Sequence, residues 1–200
     1  MTPTRPTSSG GFTLAEVMLA AAMLTVAIVA LLGAFIGQNM LNEHARNLTW
    51  AINDASRVIE RLRELNTGAA CAAPDARAPG AYATWDAWLA DAANGGGGKS
   101  IQPNPASNER IFVTCRDNNA PNAACGTTDQ VRAGEWVSQG IDTNFDPIQI
   151  TVAVCWRHGQ RTIGECTWNA GTQTLNPNDA DGDGVIESPG MLSTVMTCRR

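Results

Sequence analysis

Three groups of residues in this 200-residue chain have types and spacings that could do chemistry. The first is an acidic run, Asp179-Ala180-Asp181-Gly182-Asp183-Gly184-Val185-Ile186-Glu187. Asp179, Asp181 and Asp183 alternate, so their carboxylates converge on one point. Gly182 allows a sharp turn and Val185 can offer its carbonyl, which together make a set of hard oxygen ligands suited to Ca2+. By spacing the cage is incomplete. Gly190 stands where a bidentate acid closes such a loop, and Glu187 is the candidate substitute, directly or through water. The competing expectation is a plain acidic turn, with no cofactor at all.

The second group is six cysteines, Cys71, Cys115, Cys125, Cys155, Cys166 and Cys198. None sits in a C-x-x-C arrangement, which argues against a zinc ribbon or thioredoxin-like redox chemistry. The even number suits an oxidised, exported domain. Local spacing favours Cys155 with Cys166 across a hairpin and Cys115 with Cys125 around a loop, leaving Cys71 with Cys198; sequence alone permits other pairings. The third group is a single acid, Glu16, at the start of an apolar run. A carboxylate beside hydrocarbon costs a few kcal/mol and is a functional candidate by default.

Nothing else in the chain has the pattern of an active site. His44 falls on a helical stretch and His158 on a polar turn, and neither a nucleophile elbow nor a metalloprotease motif is present. Asn94-Gly95-Gly96-Gly97-Gly98-Lys99-Ser100 resembles a phosphate-binding loop only superficially. Ala93 occupies the position of the first glycine, and Pro103 and Pro105 prevent a helix from starting directly afterwards, so a flexible loop is expected. The net charge of −5 gives no bulk attraction for phosphate backbones, and no nucleic-acid partner is predicted.

The elements that would position these groups are legible in outline. Residues 1–11 are polar and end in two glycines. Residues 17–36 form an uncharged stretch of 20 residues that would span about 30 Å as a helix, a bilayer's hydrocarbon thickness. Beyond Gly37 the helical period continues with an apolar stripe of Leu41, Ala45, Leu48, Ile52, Ala55, Ile59 and Leu62. The opposite face carries Glu43, Arg46, Asn47, Asp54, Arg57, Arg61 and Glu64. Asn66-Thr67-Gly68 supplies a stop, with Gly68 suited to a left-handed cap.

Residues 69–108 read as a connecting region with a short helix near Ala83–Ala92, on which Trp85 and Trp88 share a face and pack onto the domain. Strands are expected at Arg110–Cys115, Gly134–Ser138, Gln149–Trp156, Gly164–Trp168 and Met191–Arg199. The alternating β-branched run at 148–156 is the clearest of them.

The segment Gly11-Phe12-Thr13-Leu14-Ala15-Glu16 resembles the prepilin cleavage and methylation signature of the type IV pilin-like family, and the apolar stretch follows in the expected place. The resemblance implies an α+β, type IV pilin-like fold. In it a long N-terminal helix, first transmembrane and then amphipathic, packs against a C-terminal antiparallel sheet held by disulfides. It implies a leader at 1–11, a helix at 12–67 with its membrane span at about 17–36, and a globular domain at 68–200.

It also implies that a prepilin peptidase/methyltransferase cuts between Gly11 and Phe12 and methylates the Phe12 amine. Glu16 would then pair with the amine of a neighbouring subunit and set register. The expected function is a non-enzymatic minor pilin. The alternatives are a type II secretion pseudopilin and a non-polymerising membrane-anchored adhesin or receptor. Other pilin or pseudopilin subunits and an inner-membrane platform protein are the implied partners. The implied location is the bacterial inner membrane, single-pass, with the globular domain in the periplasm until assembly into a filament.

Overall fold

The computed structural model describes residues 11–68, 76, 78–79, 82–94, 96–101, 108–117, 129–132, 135–138, 147–182 and 184–197. The leader residues 1–10, Cys71, Cys125, Asp183 and Cys198 lie outside them. The chain divides into two compact units, Met1–His44 and Ala45–Arg200.

The longest element is α1, Leu14–Leu65, 52 residues of unbroken helix. It holds a stretch long and apolar enough to cross a membrane. Within the first unit its apolar side chains are exposed at successive positions, Val17, Met18 and Leu19 among them, so no one face is reserved for a core. Thr25 donates its hydroxyl to the Ala21 and Ala22 carbonyls at 2.7 and 3.0 Å, which lets a polar side chain sit in an apolar helix. The helix runs through Gly33 without a break. It ends as expected at Asn66: the Asn66 side chain donates to the Leu62 carbonyl at 2.8 Å, and Gly68 takes φ +98°.

In the second unit the buried face of α1 is rotated from the stripe expected above. Ala55, Ile59 and Leu62 are buried as predicted, but Ile52 is 37% exposed, and Asn47, Ala51, Asp54 and Val58 face inward. Two contacts account for the rotation. The start of the last strand comes so close to α1 that a Cβ on Gly190 would lie 2.5 Å from the Ala51 Cβ, a fit only small residues allow. Asp54 is drawn inward by hydrogen bonds to Ser100.

The main sheet contains β1 (Glu109–Asp117), β4 (Ile148–His158), β5 (Arg161–Ile163) and β8 (Gly190–Met196), all antiparallel about β4. Two short hairpins accompany it, β2 (Asp129–Arg132) with β3 (Glu135–Ser138), and β6 (Cys166–Asn169) with β7 (Thr174–Pro177). The expected strand at Gly164–Trp168 is interrupted at Gly164 and Glu165, and the strands β2, β5 and β7 were not anticipated. Each is only three or four residues long, too short for alternation to register in the sequence.

Alternation in β4 buries both of its faces. Ile148, Ile150, Val152, Val154 and Trp156 join the core formed with α1. The short helix α2 (Trp85–Ala90) adds Trp85 and Trp88, whose rings meet edge to face at 5.3 Å between centroids. On the opposite face Ala153 and Cys155 join Phe112, Cys166, Leu175 and Ile186 in a second, smaller core. The Cys155–Cys166 disulfide forms as expected and fastens β6 to β4. Cys115 is disulfide-bonded as well.

The glycine-rich segment is not the flexible loop its composition suggests. Gly96, Lys99 and Ile101 are buried, and a Cβ on Gly96 would collide with the Trp88 carbonyl. Gly96 permits close packing against α2 rather than freedom.

Candidate functional site

At the start of α1, Gly11, Phe12 and Thr13 belong to no helix or strand, and all three are exposed. The Gly11–Phe12 peptide is therefore presented outside the helix, where a protease can take extended backbone. Phe12 and Leu14 are 87% and 80% exposed, apolar surface available to a partner or a membrane. Thr13 is the cap. Its hydroxyl accepts from the Glu16 N–H at 3.3 Å. In return the Glu16 carboxylate accepts from the Thr13 N–H and hydroxyl, each at 2.9 Å. This is a reciprocal capping box, and it gives the acid a local role that the apolar surroundings alone did not reveal.

In the second unit the acidic run is positioned by the smaller core. Ile186 is fully buried there and anchors the loop's return. Gly164 ends β5 at φ +96°, and a Cβ on it would lie 2.8 Å from Cys155 Sγ, so only glycine turns the chain past the disulfide at this point. The turn delivers Glu165 to the loop. The Glu165 N–H donates to the Glu187 carbonyl at 2.7 Å, and the Glu187 N–H donates to Glu165 Oε2 at 3.0 Å. Asp179 folds the other side: its Oδ1 accepts from Gly182 N–H and its Oδ2 from Gly184 N–H, both at 2.8 Å. Gly182 and Gly184 have φ +74° and +79°, as this tight winding requires.

The result brings one carboxylate oxygen each of Glu165, Asp179 and Asp181 within 4.8 Å of one another. Oxygens bound to a single calcium ion sit about 2.4 Å from it, and so within about 5 Å of each other. The spacing fits such an ion. Val185 is half-buried, and Asp183 lies outside the described residues.

Glu187 takes part through its backbone groups, and Glu165 supplies the third carboxylate. Linear spacing could not reveal Glu165, because it lies 14 residues before Asp179 on another strand connection. The one signal was its place next to Cys166: once Cys155 and Cys166 are joined, residue 165 must lie near the loop that covers them. Comparison with protein-family models, with characterised proteins and with solved structures gives no match to this chain.

Proposed function

We propose that this chain is a structural, non-enzymatic subunit of a type IV pilus, of the minor kind. It is made as a prepilin, cut between Gly11 and Phe12, and polymerised through α1. One observation carries the proposal: Gly11-Phe12-Thr13-Leu14-Ala15-Glu16 stands at the first turn of a 52-residue helix whose initial stretch exposes apolar side chains all round. A helix with no polar face belongs in a membrane or among other such helices, and a filament subunit needs both in turn.

On this reading the partners are the prepilin peptidase/methyltransferase, other pilin subunits and an inner-membrane platform protein. The chain waits in the bacterial inner membrane with its globular unit in the periplasm. Glu16 exchanges its Thr13 hydrogen bonds for the amine of a neighbouring Phe12 on assembly, a charged pair better suited to fixing register than to adding net stability.

A type II secretion pseudopilin is the second proposal, favoured by the Glu165, Asp179 and Asp181 cluster. We propose that this cluster holds Ca2+, since three carboxylate oxygens within 4.8 Å of one another match the oxygen shell of such an ion. Bound there, the ion would neutralise three converging carboxylates and tie the β5–β6 connection to the acidic loop.

Mass spectrometry of the mature protein tests the processing step and should find N-methyl-Phe12 at the amino terminus. A start at Phe35 would instead mark an ordinary secretory signal. Sheared filaments should contain the chain and lose it on Glu16→Val. If the protein stays in the membrane and never enters filaments or supports secretion, the adhesin or receptor alternative replaces both proposals.

A further inference from the structure

Strands β1 and β8 flank β4, and the fold treats their outer edges differently. Along β4 the Thr151 carbonyl points toward β1, where the Thr114 hydroxyl donates to it at 3.4 Å. Backbone groups alternate sides along a strand, so Ile150, Val152 and Val154 turn theirs toward β8. The Val154 carbonyl accepts from Ser188 Oγ on that side at 2.5 Å. In register these three face Thr194, Leu192 and Gly190. The N–H and C=O groups of Met191, Ser193 and Val195 therefore point away from the sheet.

On β1 the same alternation turns Glu109 and Ile111 outward. Side chains close that edge: Ile111 N–H donates to Asp86 Oδ1 at 3.1 Å, and the Glu109 carbonyl accepts from Lys99 Nζ at 2.8 Å. Among the described residues no strand pairs with the outer edge of β8 and no hydrogen bond closes it. Native sheets blunt an open edge with charge, proline or a bulge. Gly190–Met196 has neither charge nor proline, and its ladder to β4 runs residue for residue without a bulge. Met191 and Val195 are 38% and 56% exposed on one face of this edge.

A cation stands at its far end. A cleft of about 340 Å³ separates the end of α1 from the end of β8, lined by Arg63, Asn66, Thr67, Thr194, Met196 and Thr197. Arg63 is exposed, and among the described residues its guanidinium has no acidic partner, while Arg61 takes Glu64. A guanidinium bordered by threonine hydroxyls suits a carboxylate. Side chains of a strand laid beside β8 would alternate between the face of Met191 and Val195 and the face of α1, where the cleft lies.

On the membrane reading of α1, a second copy does not fit this edge. β8 runs in the same direction as α1: Gly190 packs on Ala51 near its start, and Met196 Sδ is 3.8 Å from Asn66 Nδ2 near its end. Two β8 strands paired antiparallel would set their α1 helices in opposite directions, which copies held in one membrane cannot do. In parallel pairing the other copy's Thr194–Thr197 would lie beside the cleft, and that segment has no acid.

We propose that the free edge of β8 takes up an extended segment of a different protein, which adds a strand to the sheet and places an acidic side chain in the cleft against Arg63. Main-chain hydrogen bonds to Met191, Ser193 and Val195 supply the attachment, and Arg63 supplies the selectivity. The signature of the segment is an acid next to an apolar residue. The residue opposite Val195 lies on the outer face, and its neighbour opposite Thr194 or Met196 lies on the α1 face.

The test uses the full chain in detergent micelles and a random library of displayed linear peptides. Without peptide, amide exchange followed by NMR should be fast at Met191, Ser193 and Val195 and slow at Leu192 and Thr194. Enriched peptides should carry Asp or Glu beside an apolar residue, and a synthetic copy of one should slow exchange at the three outward amides. Arg63→Ala should leave the melting temperature unchanged and weaken that peptide about two- to fivefold. Arg63→Glu should turn the enrichment toward Lys and Arg. Slow exchange at all five amides without peptide overturns the proposal, because the edge is then already closed; protection that grows with protein concentration would assign it to a second copy. Failure to enrich any peptide, enrichment indifferent to the charge at residue 63, or protection confined to other amides overturns it as well.

Discussion

From Leu14 to Ile36, α1 exposes apolar side chains at successive positions, whereas from Ala51 to Leu62 it buries Ala51, Ala55, Val58, Ile59 and Leu62 together with the carboxylate of Asp54. The backbone is the same in both stretches, and their propensities are similar. What differs is the solvent each was composed for. The first stretch is stable where hydrocarbon surrounds it, because its backbone bonds are internal and its side chains, Glu16 and Thr25 apart, are apolar. The second is stable because a sheet covers one side, and it can therefore bear charge, provided the charge is met by Ser100 and Arg57. Helicity alone says nothing of which environment a segment needs; the distribution of polar groups around the axis does.

Four experiments on the full chain in detergent would break or sharpen that contrast. Leu62→Ala removes a fully buried side chain and should lower the stability of the Ala45–Arg200 unit by about 2–5 kcal/mol, whereas Leu24→Ala should leave its denaturant midpoint unchanged. Equal losses would remove the distinction.

Calcium at roughly 100 times its dissociation constant should raise the stability of the same unit by about 2.7 kcal/mol, read as a higher melting temperature. Glu165→Gln should abolish the increase, and no response in the unaltered chain would dismiss the metal.

Gly164→Ala forces a side chain into positive φ and against the Cys155 sulfur, so a loss of about 1–3 kcal/mol is expected by calorimetry. Thr13→Ala should cost the first turn of α1 about 1 kcal/mol. Faster amide exchange at residues 14–17, with an unchanged melting temperature for the second unit, is the expected result.

The sequence announces the elements whose composition is uniform over long stretches. The apolar span, the helix stop at Asn66–Gly68 and the run at 148–156 are of this kind, as is the Cys155–Cys166 pair. It conceals whatever depends on a single side chain meeting a distant segment. Asp54 reads as a surface residue because charge normally faces water, and its burial is explained by the Ser100 backbone and hydroxyl together with Arg57. The four consecutive glycines suggest mobility, yet Gly96 packs on the Trp88 backbone and Gly97 against Arg57. Asp179 and Asp181 are found by spacing, while Glu165 reaches them through a turn that the disulfide dictates. The cap formed by Thr13 and Glu16 is legible in the sequence as a Thr-x-x-Glu spacing.

The pairing of β4 has a consequence for how the molecule comes into being. Val152 lies between Val113 and Leu192, partners about forty residues away on either side, a non-local arrangement of the kind that folds slowly. A chain made from its amino terminus cannot close this sheet until Gly190–Met196 has also been made. Until then Ile150, Val152 and Val154 lack their β8 neighbours, so the interval before β8 joins is when the chain is most open to aggregation and proteolysis. An early Cys155–Cys166 bond, spanning only 11 residues, would hold the β4–β6 corner in register during that wait.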